Sequence, residues 1–292
     1  VIVKLDPSIK LKQHKFQIHV SHDVDLPSLY AFNSWLSIIR MMASHVLKRQ
    51  DFKQALTAFW VKLISKNKIS SYDPYNTFDW LMNVSDENDL VSAFYFIAGG
   101  DNPTYDANYK INDNRIIELL KKINKREHEI GLHPSYQSYN SAGKIRREFL
   151  ALKSACDMAG VEQNQWGGRM HYLRWAQSFT LNEWEAAGLT YDSTLGYADY
   201  IGFRCGTCFE YPAFDPVKKY MLNLRIRPLI VMDNTVLSEC YMGLNPESTA
   251  KEAILKLKHI CCKLDGDFNL LWHNSSLNQK QRELYKYVIS ND

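Results

Sequence analysis

Apolar residues recur along the chain at two spacings: every second position in short segments, and every third or fourth position in longer ones. The first predicted strand buries Ile18 and Val20 and ends in the polar run SHDVD, residues 21–25. Because side chains alternate between the two faces of a strand, Asp23 and Asp25 are expected to project from the same face. Two carboxylates in one small volume repel each other unless a cation lies between them, so the pair marks a candidate site. The alternative is a solvated turn in which Asp25 caps the next helix.

Predicted strands and helices alternate along most of the remaining chain. Strands that alternate with helices at this spacing form parallel βαβ units, which predicts an α/β fold built as a distorted barrel. The later strands are predicted at 90–100, 128–133, 163–175, 188–194, 227–233 and 268–274. The main helices are predicted at about 28–49, 51–66, 112–126, 142–159, 175–187 and 246–264.

The most apolar stretch runs from Leu26 to Ile39, where 14 consecutive residues carry no charge. This length is too short to span a bilayer, so no transmembrane segment is predicted. Its apolar residues fall at helical spacing instead, which favours an amphipathic helix whose apolar face packs on the core. The residues of that face are Leu29, Phe32, Leu36, Ile39 and Ala43.

Composition changes this picture only slightly. The chain has 292 residues, with 35 Lys and Arg against 32 Asp and Glu, and no dense basic run that would indicate a nucleic-acid partner. Its length suits one large domain, residues 1–292. The 13% aromatic content suits both core packing and contacts with sugar rings. Six cysteines with a single Cys-x-x-Cys pair indicate ordinary thiols in a reducing compartment, so a cytoplasmic location is expected.

Polar residues that could take part in catalysis or bind a metal recur where predicted strands end. In a parallel α/β barrel all of these ends open on one face, where enzymes of this architecture assemble their active sites. Titratable groups at several such ends therefore predict a single site rather than scattered structural residues. The residues concerned are Asp23, Asp25, His133, Arg169, His171, Asp192, Asp233 and His273.

Five short motifs resemble, in order and spacing, those of the NodB-homology polysaccharide deacetylases, also called carbohydrate esterase family 4. They are SHDVD, HEIGLHPSYQ, GRMHY, YDSTLGY and LLWH, and the likeness runs from about residue 16 to 276. The resemblance implies a distorted (β/α) barrel of the NodB-homology type. The gap between the first two motifs is longer than this family usually shows, so residues 28–89 are expected to form a helical insertion after the first strand.

The resemblance also implies roles for individual residues. Asp23 corresponds to the catalytic base and Asp25 to a metal ligand, while His133 corresponds to the first ligand histidine. Arg169 corresponds to the arginine that orients the base, and His273 to the catalytic acid. A divalent metal, zinc foremost, is therefore the expected cofactor.

Three further residues are expected near the substrate. The backbone amide of Tyr172 corresponds to the family's oxyanion-hole donor. Asp192 lies in the fourth motif, although an Asx turn is an alternative role for it. Trp272 is expected either to flank a sugar ring or to pack in the core.

The third metal ligand departs from the family pattern. Gln137 stands where the family has its second ligand histidine, and an amide is a poor ligand for zinc. His171 is the preferred replacement, because it is an imidazole next to Arg169 in a motif that faces the site. Gln137 itself, a nearby Tyr or Asn, and a site without metal stay open as well.

The resulting functional hypothesis is a metal-dependent hydrolase that removes an acetyl group from an N-acetylated sugar or polysaccharide. Two further functions are compatible with the sequence: a metal-free hydrolase of the same fold that acts on another C–N bond, and a carbohydrate-binding pseudoenzyme. The expected partner is a carbohydrate substrate. The apolar face of the insertion also needs a partner, either the barrel or a second subunit, so a homo-oligomer through the insertion is an open expectation.

Overall fold

Five parallel strands form the central sheet in the computed structural model, which describes residues 13–100, 102–275 and 277–290. The first strand, β1, lies in the middle of the sheet order β3-β2-β1-β8-β7, and a second sheet has the order β4-β6-β5. The strands of the described residues are β1 (Gln17–Val24), β2 (Ser92–Phe96), β3 (Glu129–Leu132), β4 (Tyr191–Asp192), β5 (Tyr211–Asp215), β6 (Tyr220–Ile226), β7 (Val231–Met232) and β8 (Asp267–Leu271).

Helices connect these strands, as the sequence pattern predicts. Several begin at the side-chain caps that their sequences supply: Asp113 accepts a hydrogen bond from the amide of Arg115, and Asn278 forms a capping box with Gln281. The α-helices of the described residues are α1 (Trp35–Arg49), α2 (Phe52–Ile64), α3 (Phe78–Asp86), α4 (Asn114–Lys125), α5 (Lys144–Ala159), α6 (Phe179–Ala187), α7 (Asp233–Leu237), α8 (Thr249–Lys263) and α9 (Gln279–Ile289).

The irregular segment 166–169 joins the two sheets. The amide of Leu132 at the end of β3 donates to Gly167, and the amide of Ser193 after β4 donates to Gly168. Gly168 is needed here because a Cβ atom would lie 1.8 Å from the carbonyl oxygen of Leu132. The strands therefore form one curved wall, and the prediction of a distorted α/β barrel is confirmed.

One large apolar core fills the barrel and the space beneath its helices. It includes Val20 from β1, Phe94 from β2 and Leu270 from β8, all almost completely buried. Helix α3 belongs to the same core through Phe78 and Leu81. The last part of the predicted insertion, residues 28–89, thus packs in the main core, and the insertion itself stays a prediction.

The hairpin of α1 and α2 has a small apolar cluster of its own, formed by Tyr30, Ile38, Ala58 and Val61. The expectation that this apolar face packs on the core is wrong for α1 itself, because Leu36 is 59% exposed, whereas Leu29 and Phe32, which precede the helix, pack partly buried against the apolar clusters. Ile39 and Ala43 on the same face are also exposed. The residues of α1 that are buried are Ile38 and His45, and the stripe of Leu36, Ile39 and Ala43 points to solvent.

Two polar contacts hold the base of this hairpin. The carboxylate of Asp73 accepts hydrogen bonds from the amides of Leu29 and Tyr30, at 2.8 and 3.1 Å, so these residues form a turn and α1 begins only after it. The side-chain amide of Asn274 donates to the carbonyl oxygens of Leu26 and Tyr75, at 2.9 and 2.8 Å. Asn274, the residue after His273, thereby holds both ends of the segment 26–75 that contains the hairpin.

No helix in the described ranges has the length and apolar character to cross a membrane. The predicted single domain covers residues 1–292, and both of its ends, residues 1–12 and 291–292, lie outside the described part of the chain. The division of the chain into domains therefore stays a prediction.

The first testable consequence concerns the two kinds of apolar side chain in this region. Leu81→Ala in α3 removes buried core volume and should lower the free energy of unfolding by about 2–5 kcal/mol. Leu56→Ala in α2 removes a side chain that is 59% exposed, so its effect should stay within about 0.5 kcal/mol. Urea unfolding of both variants measures the difference. Similar losses in both would show that the outer face of the hairpin is packed.

Candidate active site

The carboxyl end of β1 places Asp23 under the mouth of the barrel, where it is 3% exposed. One carboxylate oxygen, Oδ1, accepts a hydrogen bond from Nη1 of Arg169 at 2.7 Å. The other, Oδ2, points toward Nε2 of His133 at 3.7 Å. Asp23 is therefore anchored through one oxygen and presents the other to the site.

Arg169 is completely buried, and protein groups accept from all of its guanidinium nitrogens. Besides Asp23, its partners are the hydroxyl of Ser21 and both the hydroxyl and the carbonyl oxygen of Ser193, at 2.9–3.0 Å. The guanidinium also lies over the ring of Tyr95. Such a network fixes the side chain, because moving it would break several buried hydrogen bonds at once.

Asp25, His133 and His171 bring three potential ligand atoms together above Asp23. Oδ1 of Asp25 lies 3.2 Å from Nε2 of His133 and 3.5 Å from Nε2 of His171. One ligand atom from each residue lies within 4.8 Å of the others. Two imidazoles and a carboxylate are a donor set that suits zinc, with a position left for water or substrate.

The hydrogen bonds around this cluster favour a cation between the three residues. Nδ1 of His133 donates to the carbonyl oxygen of Arg169 at 2.5 Å, so in the neutral ring its Nε2 carries a lone pair. That lone pair faces Oδ1 of Asp25, which is buried and has no hydrogen-bond partner among the described residues. In this neutral tautomer the two lone pairs repel each other, and either a proton on Nε2 or a bound metal removes that repulsion.

His171 is less firmly held than His133. Its Nδ1 is buried without a hydrogen-bond partner in the described part of the chain, whereas the second nitrogen of a ligand histidine usually donates to an acceptor. Burial, and then the neighbouring His133, lower the pKa of His171 to about 4, so its ring is neutral at pH 7 and able to bind a metal. The residue thus has the charge state of a ligand but lacks the usual support.

The electrostatics of Asp25 also suit a ligand. Burial works against its ionisation, but the neighbouring imidazoles, His133 foremost, hold the pKa of this carboxyl well below its usual range. Burial likewise opposes the charge of His133, while Asp23 and Asp25 together raise its pKa. Both shifts have the same cause, the attraction between these carboxylates and a proton on the imidazole of His133, and a metal at this position would take the place of that proton.

His273 approaches from the end of β8 and is paired with Asp233. Its Nδ1 lies 2.7 Å from Oδ1 of Asp233, and its backbone amide donates to Oδ2 of the same residue at 2.9 Å. Burial opposes protonation, but Asp233, and then Asp25 and Asp23, outweigh it and raise the pKa of His273 to about 10. The imidazole is therefore protonated at neutral pH, with Nε2 3.7 Å from Oδ2 of Asp25.

These groups line a cleft of about 150 Å³, which is large enough for a small acyl group. Of the residues assigned from sequence, Asp23, Asp25, His133, His171, Tyr172 and His273 line the cleft. Sequence reasoning did not assign its remaining wall, which is formed by Leu173, Ala198, Met232, Asn234 and Tyr241.

Tyr172 lies at the mouth of the cleft in an unusual backbone conformation. Its φ of 58° falls in the left-handed region, as does that of Leu173 at 52°. Non-glycine residues are held there at a cost of about 1–3 kcal/mol, and such residues are concentrated at functional sites. The ring of Tyr172 is 57% exposed and meets the stacked rings of Tyr105 and Tyr136 edge-on.

Asp192 and Trp272 are brought close to the site but not into the cleft. Both are completely buried, so neither offers a surface to a substrate in this conformation. Asp192 accepts hydrogen bonds from the amide and hydroxyl of Thr194, and burial raises its pKa to about 6. Trp272 packs against Tyr285 of α9. The geometry supports an Asx turn for Asp192 and core packing for Trp272.

Gln137 is not part of the cleft either. Its side chain is exposed, and it precedes a short 3₁₀ helix at 138–140. The position four residues after His133 therefore supplies no group to the cluster in this structure.

Comparisons with known proteins support the fold and no closer relationship. No protein-family model matches the chain, and no curated protein resembles it in sequence. Among solved structures, a Mycobacterium smegmatis protein assigned as a polysaccharide deacetylase matches with a TM-score of 0.57 at 16% identity, covering 97% of this chain and 87% of that one. The fold of the present chain is therefore of the NodB type.

Two other solved structures share the NodB-type fold. PuuE allantoinase matches with a TM-score of 0.54 at 10% identity, over 94% of this chain and 83% of that one. A protein from Pseudomonas aeruginosa PAO1, also assigned as a polysaccharide deacetylase, matches with a TM-score of 0.52 at 12% identity, over 94% and 84% of the two chains. At these identities the likeness concerns the fold alone.

The arrangement of the cluster predicts which substitutions release a metal. His133→Ala and His171→Ala each remove one of three ligand atoms, so each should lower the zinc content of protein purified without chelator at least about tenfold. Gln137→Ala is the matched control and should leave the zinc content unchanged. Elemental analysis of the three variants measures this. Full zinc content in His171→Ala would remove that residue from the ligand set.

Proposed function

We propose that this protein is a metal-dependent hydrolase that removes an acetyl group from an N-acetylated sugar or polysaccharide. The observation that carries the proposal is the pairing of two different carboxylates at the bottom of one cleft. Asp25 faces two histidines as a ligand would, whereas Asp23 is held by Arg169 and keeps one oxygen for other chemistry.

Asp25, His133 and His171 are the residues that would hold the metal, and their nitrogen and oxygen atoms suit zinc. A divalent cation bound there supplies polarisation of the acyl carbonyl and a lower pKa for a bound water. All other parts of the reaction fall to side chains and backbone groups of this chain.

Asp23 acts as the general base in this proposal. Arg169 fixes Oδ1, and Oδ2 is directed at the space next to Nε2 of His133, where the attacking water would lie. Asp23 takes the proton from this water as it attacks the acetyl carbon. A base held in one orientation contributes to rate through geometry, since proton transfer needs close approach.

His273 acts as the general acid. Its pKa of about 10 keeps a proton on the ring at neutral pH, and this proton passes to the departing sugar nitrogen. The backbone amide of Tyr172 donates to the oxyanion that develops on the acyl oxygen, and the left-handed backbone at this residue supports that role.

A carbohydrate substrate agrees with the surroundings of the cleft. The exposed rings of Tyr172 and Tyr241 line the cleft, Tyr105 meets Tyr172 edge-on, and these rings provide flat apolar surfaces of the kind that pack on sugar rings. The small cleft volume suits an acetyl group, with the sugar itself remaining outside.

A second candidate is a hydrolase of the same fold that acts on another C–N bond without a metal. The unsupported Nδ1 of His171 favours it, because this nitrogen lacks the acceptor that ligand histidines usually have. The likeness to PuuE allantoinase is consistent with it at the level of the fold. Elemental analysis combined with activity before and after chelation separates the two candidates.

The role of Asp23 can be tested by isosteric substitution. Asp23→Asn removes the base but not a ligand, so kcat for release of acetate from N-acetylglucosamine oligomers should fall by about 10²–10⁴-fold. Zinc affinity should stay within about tenfold of the wild-type value. Asp25→Asn is the matched comparison and should lose both activity and zinc affinity. Near-normal turnover in Asp23→Asn would contradict the mechanism.

The role of His273 can be tested through its partner. Asp233 is the main group that raises the pKa of His273, so Asp233→Asn should lower this pKa. Activity requires the protonated ring and is lost as pH rises through the pKa. The alkaline limb of the kcat/KM profile should therefore move to lower pH by about one unit or more.

A comparison of leaving groups provides the control for this test. An activated acetate ester has a leaving group that needs no proton, so His273→Ala should slow amide hydrolysis far more than ester hydrolysis. An unmoved alkaline limb in Asp233→Asn, or equal losses on both substrates in His273→Ala, would argue against the acid role.

A further inference from the structure

The outer face of the helical hairpin, α1 and α2, is the most apolar exposed surface of the described residues. Among all described residues, 25 large apolar or aromatic side chains are exposed, and ten of them lie on these two helices. They are Trp35, Leu36, Ile39, Leu47, Phe52, Leu56, Phe59, Trp60, Leu63 and Ile64. A concentration of this kind marks an interaction site, because single exposed apolar residues are ordinary but a contiguous patch is not.

The patch is continuous across both helices. On α2 the exposed residues follow the helical spacing 52, 56, 59, 60 and 63, which forms one stripe along the helix. The rings of Trp35 on α1 and Phe59 on α2 are 6.0 Å apart, and Phe59 is 5.8 Å from Trp60. The exposed apolar side chains of the two helices therefore meet where Trp35 lies beside Phe59.

Positive charge is concentrated in the segment that contains this hairpin. Residues 34–68 contain seven Lys and Arg but one acidic residue, Asp51, a balance of +6 in a chain whose total is +3. The exposed cations include Arg40, Lys48 and Lys53, and within the described residues none of these three forms an ion pair. The rest of the chain therefore carries a net negative charge, and the hairpin concentrates the positive charge.

We propose that the outer face of the α1–α2 hairpin docks on an anionic lipid surface. Helices that lie in a membrane interface combine a wide apolar face, Trp and Phe side chains, and Lys and Arg at the polar edge, and both helices have these features. The cations would meet anionic headgroups while the apolar stripe enters the boundary between headgroups and acyl chains. Neither helix spans the bilayer.

A second copy of this chain fits the same surface less well. A two-fold contact places the same patch of each subunit against the other, so it would bring together two hairpins whose residues 35–64 each carry five Lys and Arg against one acidic residue. Like charges at that distance repel, and one acidic residue in each hairpin offers little compensation. An anionic surface is complementary in both apolar character and charge.

The inference is independent of the proposed reaction and is tested without measuring activity. The full chain is sedimented with vesicles of phosphatidylcholine alone and with vesicles that contain about 30 mol% phosphatidylglycerol. We expect binding to the anionic vesicles at least about tenfold stronger than to the neutral ones at about 0.1 M salt, and much weaker binding at about 0.5 M salt.

Two sets of variants separate the apolar contribution from the charge. Leu56→Ser with Trp60→Ser should reduce anionic-vesicle binding about tenfold or more, because both side chains lie in the stripe. Leu150→Ser with Met158→Ser on α5 is the matched control, since these residues are 55% and 61% exposed and lie outside the hairpin. Arg40→Gln with Lys48→Gln and Lys53→Gln should weaken binding at low salt.

Three results would overturn the inference. The first is the absence of vesicle binding by the wild-type chain. The second is equal binding to neutral and anionic vesicles that the charge variants leave unchanged. The third is a stable dimer in sedimentation velocity that dissociates in Leu56→Ser with Trp60→Ser while vesicles bind neither protein, which would assign the face to a second copy.

Discussion

The buried guanidinium of Arg169 is the interaction on which the rest of the site depends. Its side chain joins Ser21 and Asp23 of β1 to Ser193 after β4, and its carbonyl oxygen accepts from His133. An unpaired charge at this depth would cost several kcal/mol, so the guanidinium and the carboxylate require each other. One residue thereby sets the orientation of both the candidate base and a candidate ligand.

The architecture follows from sequence because parallel strands impose it. Polar residues at the ends of β1, β3 and β8 had to meet at one mouth once the strands were recognised, and Asp25, His133 and His273 do meet there. The pattern left two roles open for Trp272, a contact with a sugar ring or core packing; directly after β8 the side chain is completely buried and packs against Tyr285.

Other features lay beyond what a sequence pattern contains. The strand-end pattern placed Asp233 and His273 at the same mouth, but it did not contain their hydrogen bond, because the two residues are 40 positions apart and no spacing rule pairs them. The orientation of α1 is a different case, since periodicity shows which face of a helix is apolar but not what lies opposite that face. Leu36 and Ile39 were assigned to the core for this reason, although both face solvent.

Residues 26–75 contain the hairpin, and Asn274 is hydrogen-bonded to both ends of this segment, at Leu26 and Tyr75. The segment is therefore a loop with fixed ends. The conformational entropy lost on closing a loop grows only with the logarithm of its length, about 0.6 kcal/mol for each doubling. Lengthening, shortening or exchanging the chain between these two anchor points is therefore thermodynamically inexpensive for the barrel. The hairpin is therefore the part of this protein whose length and surface can change most freely while the candidate active site stays in place.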